Sequence, residues 1–292
     1  MNRQVFVVSL VSWLLMTVVS PASDSQAMQQ AATLAGPRAD ALAPLPSGDQ
    51  VIRRMLDRYA ARAAATNAPV WAYDKRMVTE KLDGDDKVEQ RTEKQYRVQI
   101  IKGVPLSKLV KVEGRDLTDA ELKKENQHEA GFQKQLSGRD PKKAVKEGEA
   151  LINKDLVDRF QYKTLRREAV FGRPTVVVSF WAKPGKDDGS VQGRALSRLA
   201  GTLWVDEATA DVARLEVHLT QGFSMGVLGI LGSVKECGME LVSRPMTDGT
   251  WLPDKTTLLV SARMFLSSIR FRMEETSSNF TLEPPNGIIA GN

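Results

Sequence analysis

The sequence predicts an α+β protein, predominantly antiparallel β, folded as one large curved sheet or incomplete β-barrel with an N-terminal helix and a helical insertion. Three observations lead to this class. In Gly201 to Leu219, GTLWVDEATADVARLEVHL, the residues Ala213, Leu215, Val217 and Leu219 alternate with Arg214, Glu216, His218 and Thr220, the period of a strand with one dry and one wet face. Asp206 to Asp211 supplies side chains that cap their own backbone, so the chain reverses there and the stretch is a hairpin. Thr175 to Trp181, TVVVSFW, is the most β-prone run, and its continuous hydrophobicity predicts a central strand covered on both faces. Finally, about ten such segments follow one another with short turns between them, the pattern of sequential hairpins. A sheet of that size must close, pack on a helix or enclose a hydrophobic ligand to keep its apolar face dry.

The chain opens with Arg3 and the apolar run Val5 to Val19, broken only by Ser9, Ser12 and Thr17. This is the make-up of an export signal over residues 1–27, with cleavage after Ala22 or after Ala27. The other reading, a retained membrane anchor, is disfavoured because the run falls short of the ~20 apolar residues of a comfortable span. The mature chain is then expected in the periplasm or outside the cell, with no permanent membrane span. Residues 28–46, rich in Ala, Gln and Pro, form a flexible lead-in, and residues 47–283 form the folded domain. Pro284-Pro285 closes it, leaving 284–292 as a tail.

Within the domain, Ser47 and Gln50 have capping-box spacing, and Ile52, Met55, Leu56, Tyr59, Ala60 and Ala63 then recur along one helical face until Asn67-Ala68-Pro69. Strands at Val70 to Lys81 and Val88 to Ile101 flank Asp83-Gly84-Asp85-Asp86, a turn in which the glycine can take a positive φ. A further strand, Leu106 to Val112, ends at Glu113-Gly114-Arg115-Asp116. Thr118 and Glu121 form a second capping box, opening a polar helix to about Gln135, which with Lys142 to Leu156 makes the charged insertion 118–156. Phe160 to Arg167 returns to strand, Gly172-Arg173-Pro174 turns the chain, and Lys183 to Gln192 is read as a mobile loop. The last strands are Val234 to Val242, Trp251 to Val260 after the Asp248-Gly249 turn, and Phe265 to Thr276. In the last of these Ile269, Phe271 and Met273 oppose Arg270, Arg272 and Glu274. Trp181 and Trp204, each in a strongly β-patterned run, are expected to be buried.

Little in the chain points to catalysis. His128 falls in the polar helix and His218 on the wet face of a strand, and there is no GxSxG, no HExxH and no spaced Cys/His set. No enzyme activity, metal or cofactor is expected. The net charge of +5 is spread through alternating acids and bases at 74–97 and 108–125, which describes solvated faces and not a nucleic-acid surface. Cys237, the one cysteine, rules out an internal disulfide and lies far from the signal junction where a lipid would be attached. It reads as a buried free thiol. The stretch Gly222 to Gly232, GFSMGVLGILG, is apolar, uncharged and punctuated by glycine. It is either a core turn or irregular buried strand, or a mobile flap whose Phe223, Met225, Val227, Leu228, Ile230 and Leu231 border the entrance to a site for a hydrophobic ligand.

The N-terminal amphipathic helix, the many strands, FGRPTVVVSF, then GTLWVDEATADVARLEV and DGTWLP together resemble the periplasmic outer-membrane lipoprotein-sorting family of LolA/LolB-like proteins. The sigma-factor regulator of the RseB type is similar in fold. The resemblance spans about Ser47 to Thr276, and the insertion 118–156 departs from it. It implies an incomplete barrel, covered by helices, that holds the acyl chains of a lipid or lipoprotein. On the same fold it also allows a module that binds an envelope protein. A monomer is expected in either case.

Overall fold

The computed structural model describes residues 44–64, 70–101, 104–137, 157–225, 232–264 and 267–283. Helix α1 (Gly48–Ala64) starts where the capping box placed it: Ser47 N donates to Gln50 Oε1 at 2.9 Å, and Gln50 N donates to Ser47 Oγ at 3.3 Å. Two otherwise orphaned amide donors are thereby satisfied. The strands that follow are β1 (Val70–Leu82), β2 (Val88–Ile101), β3 (Val104–Val112) and the two-residue β4 (Arg115–Asp116). Helix α2 (Asp119–Ser137) precedes β5 (Phe160–Val170) and β6 (Arg173–Ala182), and a short helix α3 (Val191–Leu196) precedes β7 (Leu199–Asp206). The chain ends in β8 (Val212–Leu219), β9 (Phe223–Met225), β10 (Gly232–Pro245), β11 (Trp251–Met264) and β12 (Ser267–Glu283).

All twelve strands belong to one antiparallel sheet, ordered β4-β3-β2-β1-β12-β11-β10-β8-β7-β6-β5, with β9 alongside β10. Its terminal strands are not paired with each other, so the sheet is open. Strand β12 pairs with β1 and so closes the first meander against the last hairpins. The two strands beyond the ten expected are the shortest, β4 and β9.

Register sorts the side chains, because directly opposed residues on antiparallel strands share a face. We call the face that carries α1 the inner face. There Leu203 opposes Leu215, Leu215 opposes Leu241, and a second row runs Val217, Met239, Leu258, Met273. On the outer face one row reads Glu216, Glu240, Thr257, Glu274, Val78, Glu93. Glutamates opposite one another repel. The neighbouring row supplies the counter-charges: Arg214 Nη2 lies 2.5 Å from Glu216 and 2.8 Å from Glu240, Lys255 lies 2.8 Å from Glu274, and Arg76 lies 2.6 Å from Glu93. Arg76 and Arg91 hold Glu93 down at about 2.

Several local expectations are corrected. In the β1–β2 turn the positive φ falls on Asp86, at 63°, and not on Gly84. Asp83 dictates this, because its Oδ1 accepts from the amides of Asp85 and Lys87 and shapes the turn ahead of the glycine. Trp181 is 38% exposed. Alternation along β6 turns Phe180 inward and Trp181 outward, where its cross-strand neighbour Ala200 is too small to cover it. Ala213 leaves the dry row of Leu215 and Val217: a bulge between Trp204 and Val205 sends it to the outer side, where it packs with Val177, Trp204 and Trp251. Residues 183–192 are tied down. Arg159 donates to Lys186 O at 2.8 Å, and Ser190 Oγ caps α3 by accepting from Gly193 N at 2.8 Å. The export signal, most of the lead-in, Asn67-Ala68-Pro69, Lys142 to Leu156 and 284–292 lie outside the described residues.

Candidate functional site: the apolar inner face

Three apolar clusters lie end to end on the inner face. Under α1, Val51, Ile52 and Met55 pack on Phe160, Val176, Val178, Phe180, Leu203 and Val205. Leu215 and Val217 belong to this cluster and also to the next, built from Met77, Met239, Leu258, Val260, Phe271 and Met273. Cys237 joins that one to the third, in which Phe223 and Val234 pack with Val191 and Ala195 of α3 and with Leu219 and Met264. The shared residues make the surface continuous across strands β5 to β12 and on to β1. Its middle is rich in methionine, contributed by β1, β10 and β12. Unbranched thioether side chains adapt to apolar partners of varied shape. The main helix contacts are α1 on β5 and β6, α2 on β3 and α3 on β9.

The face turns polar at β1 and β2. Glu275 is opposite Met77, and it forms an ion pair with Lys75 Nζ at 3.4 Å. Lys75 in turn stands 5.2 Å over the ring of Tyr96, its cross-strand neighbour. Burial, with the nearby charges of Glu275 and Glu125, pushes the Tyr96 phenol up to about 12. Tyr73, packed on Phe280 at 5.5 Å, is raised further by burial and by Glu275. Both phenols therefore stay protonated hydrogen-bond donors.

Of the six residues expected to border an entrance, Phe223 is buried. It sits in the third cluster under the guanidinium of Arg198, 6.0 Å away. Met225 lies in β9 opposite Gly232. That glycine has φ 133°, and a Cβ there would come within 2.1 Å of Arg263 O, so only glycine can hold the hairpin. Val227, Leu228, Ile230 and Leu231 lie outside the described residues. The methionine cluster was missed as a site. Its signal was present in the alternation of Cys237, Met239 and Leu241 and of Ile269, Phe271 and Met273, but nothing in either strand says that the two adjoin.

The surface is chemically quiet. Burial and then Glu236 push the Cys237 thiol up to about 11, so it is not an activated nucleophile. His128 pairs with Glu125 at 3.1 Å on α2, far in sequence from the exposed His218 of β8. Among the described residues no group of three or more His, Cys, Asp or Glu side chains could hold a metal ion, and no helix is long and apolar enough to cross a membrane.

What fold and surface define is a class: an open antiparallel sheet with one mainly charged face and one mainly apolar face that turns polar at β1 and β2. No family model and no curated protein matches the chain. Among solved structures it is similar to an outer membrane lipoprotein-sorting protein domain from Vibrio parahaemolyticus, at 9% identity over 83% of this chain and 95% of that one, with a TM-score of 0.31. A LolA superfamily protein from Nitrosomonas europaea matches at 9% identity over 82% and 94%, TM-score 0.27. The MucA/MucB complex of Pseudomonas aeruginosa matches at 10% identity over 78% and 99%, TM-score 0.21.

Proposed function

We propose that this is an exported protein of the cell envelope, periplasmic or secreted, that binds or carries the acyl chains of a lipid or lipoprotein on its inner face. One observation carries the reading: the apolar surface runs unbroken from α1 through Met239 and Met273 to Met77 on an open sheet. An acyl chain is long, flexible and apolar, and methionine side chains adapt their shape to such a partner. The compartment rests on the export-signal pattern of residues 1–27. Phe223 anchors one end of the entrance segment, and Met225, Val227, Leu228, Ile230 and Leu231 are proposed to border the way in.

A second reading, an envelope protein–protein interaction module, has its own observation. Phe171 is 53% exposed at the tip of the β5–β6 hairpin, with φ 47°, beside Trp251 at 6.4 Å and the Arg244 guanidinium at 6.0 Å. Aromatic and arginine side chains of this kind are common anchors of protein interfaces.

Fluorescent fatty-acid binding separates the readings. The wild type should bind the probe, and Met225→Ser with Leu228→Ser should weaken binding about tenfold while the melting temperature moves only slightly. Unfolding by those substitutions would return the segment to the ordinary core. A wild type that binds no acyl probe would leave the interaction module.

A further inference from the structure

Strands β1 and β2 are dense in ion pairs, and their basic residues can be taken one by one. Lys75 is paired with Glu275, Arg76 with Glu93, Lys81 with Glu89, Arg91 with Glu93 and Arg97 with Asp74. The sixth, Lys94, has no carboxylate partner among the described residues. It is also not a freely exposed lysine. It is half-buried, and it lies directly opposite Met77, which places its stem on the inner face beside the methionine cluster. Lys75 opposes Tyr96, two residues along β2, so the two lysines are diagonal neighbours on one face. Glu275 neutralises Lys75. No described carboxylate neutralises Lys94, so its ammonium is left over for an anion from outside the described residues.

We propose that Lys94, with Lys75 beside it, is the head-group end of the inner face, and that the ligand is an anionic amphiphile. Its carboxylate or phosphate accepts from Lys94 Nζ, and its chain runs over Met77, Met273 and Met239. This rests on the acyl-binding reading and adds the polarity of the ligand and its direction in the site. The Tyr96 hydroxyl, kept protonated by its surroundings, is a second donor at the same end. The anion pairs the one basic residue of β1 and β2 that has no carboxylate partner among the described residues, and the methionines cover the chain.

Titration calorimetry on the mature protein with palmitate and with hexadecanol, which has the same chain and no charge, tests the assignment. Wild type should bind palmitate more tightly than hexadecanol. Lys94→Gln should weaken palmitate about tenfold and leave hexadecanol within about twofold, with an unchanged melting temperature, while Lys94→Arg keeps the preference. Equal palmitate affinity in wild type and Lys94→Gln would overturn the head-group role while leaving acyl binding in place. Displacement of palmitate by millimolar inorganic phosphate would show a site for any anion, which also overturns it. If neither palmitate nor hexadecanol binds, the acyl-binding reading itself has failed.

Discussion

Asp206 is almost fully buried, and yet it is charged. Burial works against that charge, but Arg173 donates from Nε at 2.6 Å and Nη2 at 3.2 Å, Thr209 and Ala208 donate through their amides, and the carboxyl ends below its ordinary range. Trp251 adds its indole N–H at 3.2 Å. A group with a lowered folded-state pKa stabilises above its unfolded value, about 3.9 for Asp, and that stability is lost as pH falls through the folded value. Asp206→Ala should therefore cost about 3 kcal/mol at pH 7, since Arg173 and the donors lose their acceptor. The gap from wild type in urea melts should narrow below about pH 4. A gap that does not change with pH would show that the charge contributes nothing. In the sequence, Trp204-Val205-Asp206 and Trp251-Leu252-Pro253 are both legible as marks of strands and turns. That the second donates to the first across 45 residues is not, because spacing carries no information on which turns meet.

The strands themselves were legible wherever one face is wet, as in β8 and β12, and both capping boxes lie where their spacing put them. Thr118 N donates to Glu121 Oε2 at 2.8 Å, as Ser47 does to Gln50. What alternation cannot supply is the cover on each face. Thr175 to Val178 is buried on both sides because α1 packs on one and Trp204 and Trp251 on the other. Three residues on, that outer cover is gone, and Trp181 faces solvent. The two tryptophans should therefore differ. Trp204→Ala should cost about 3 to 5 kcal/mol, since it fills the outer cluster under Arg214, whose guanidinium stands 4.8 Å from the ring. Trp181→Ala should cost under about 1 kcal/mol. Equal losses in chemical denaturation would contradict the assignment of faces.

At the scale of the molecule, one sheet separates a mainly charged face, with one apolar cluster around Trp204 and Trp251, from a mainly apolar face that turns polar at β1 and β2, and residues 47–283 are proposed to form one unit around it. Each dry strand face could be read locally, but the methionine cluster draws on β1, β10 and β12. Their adjacency follows from β12 pairing with both β1 and β11, a closure of long sequence separation that no local pattern encodes. The candidate site was for that reason legible as a property, an apolar surface in need of cover, and not as a place. The β1–β2 hairpin sets Lys94 beside Met77, and the closure brings Glu275 of β12 to the other side of Met77, which gives the face its polar end. Native mass spectrometry of the protein expressed from the full chain, residues 1–27 included, and purified without detergent tests the acyl-binding reading most directly. The account predicts species heavier than the bare chain by the mass of a lipid, lost on denaturation and reduced by Met239→Ser with Met273→Ser. Bare protein alone in every preparation would contradict it.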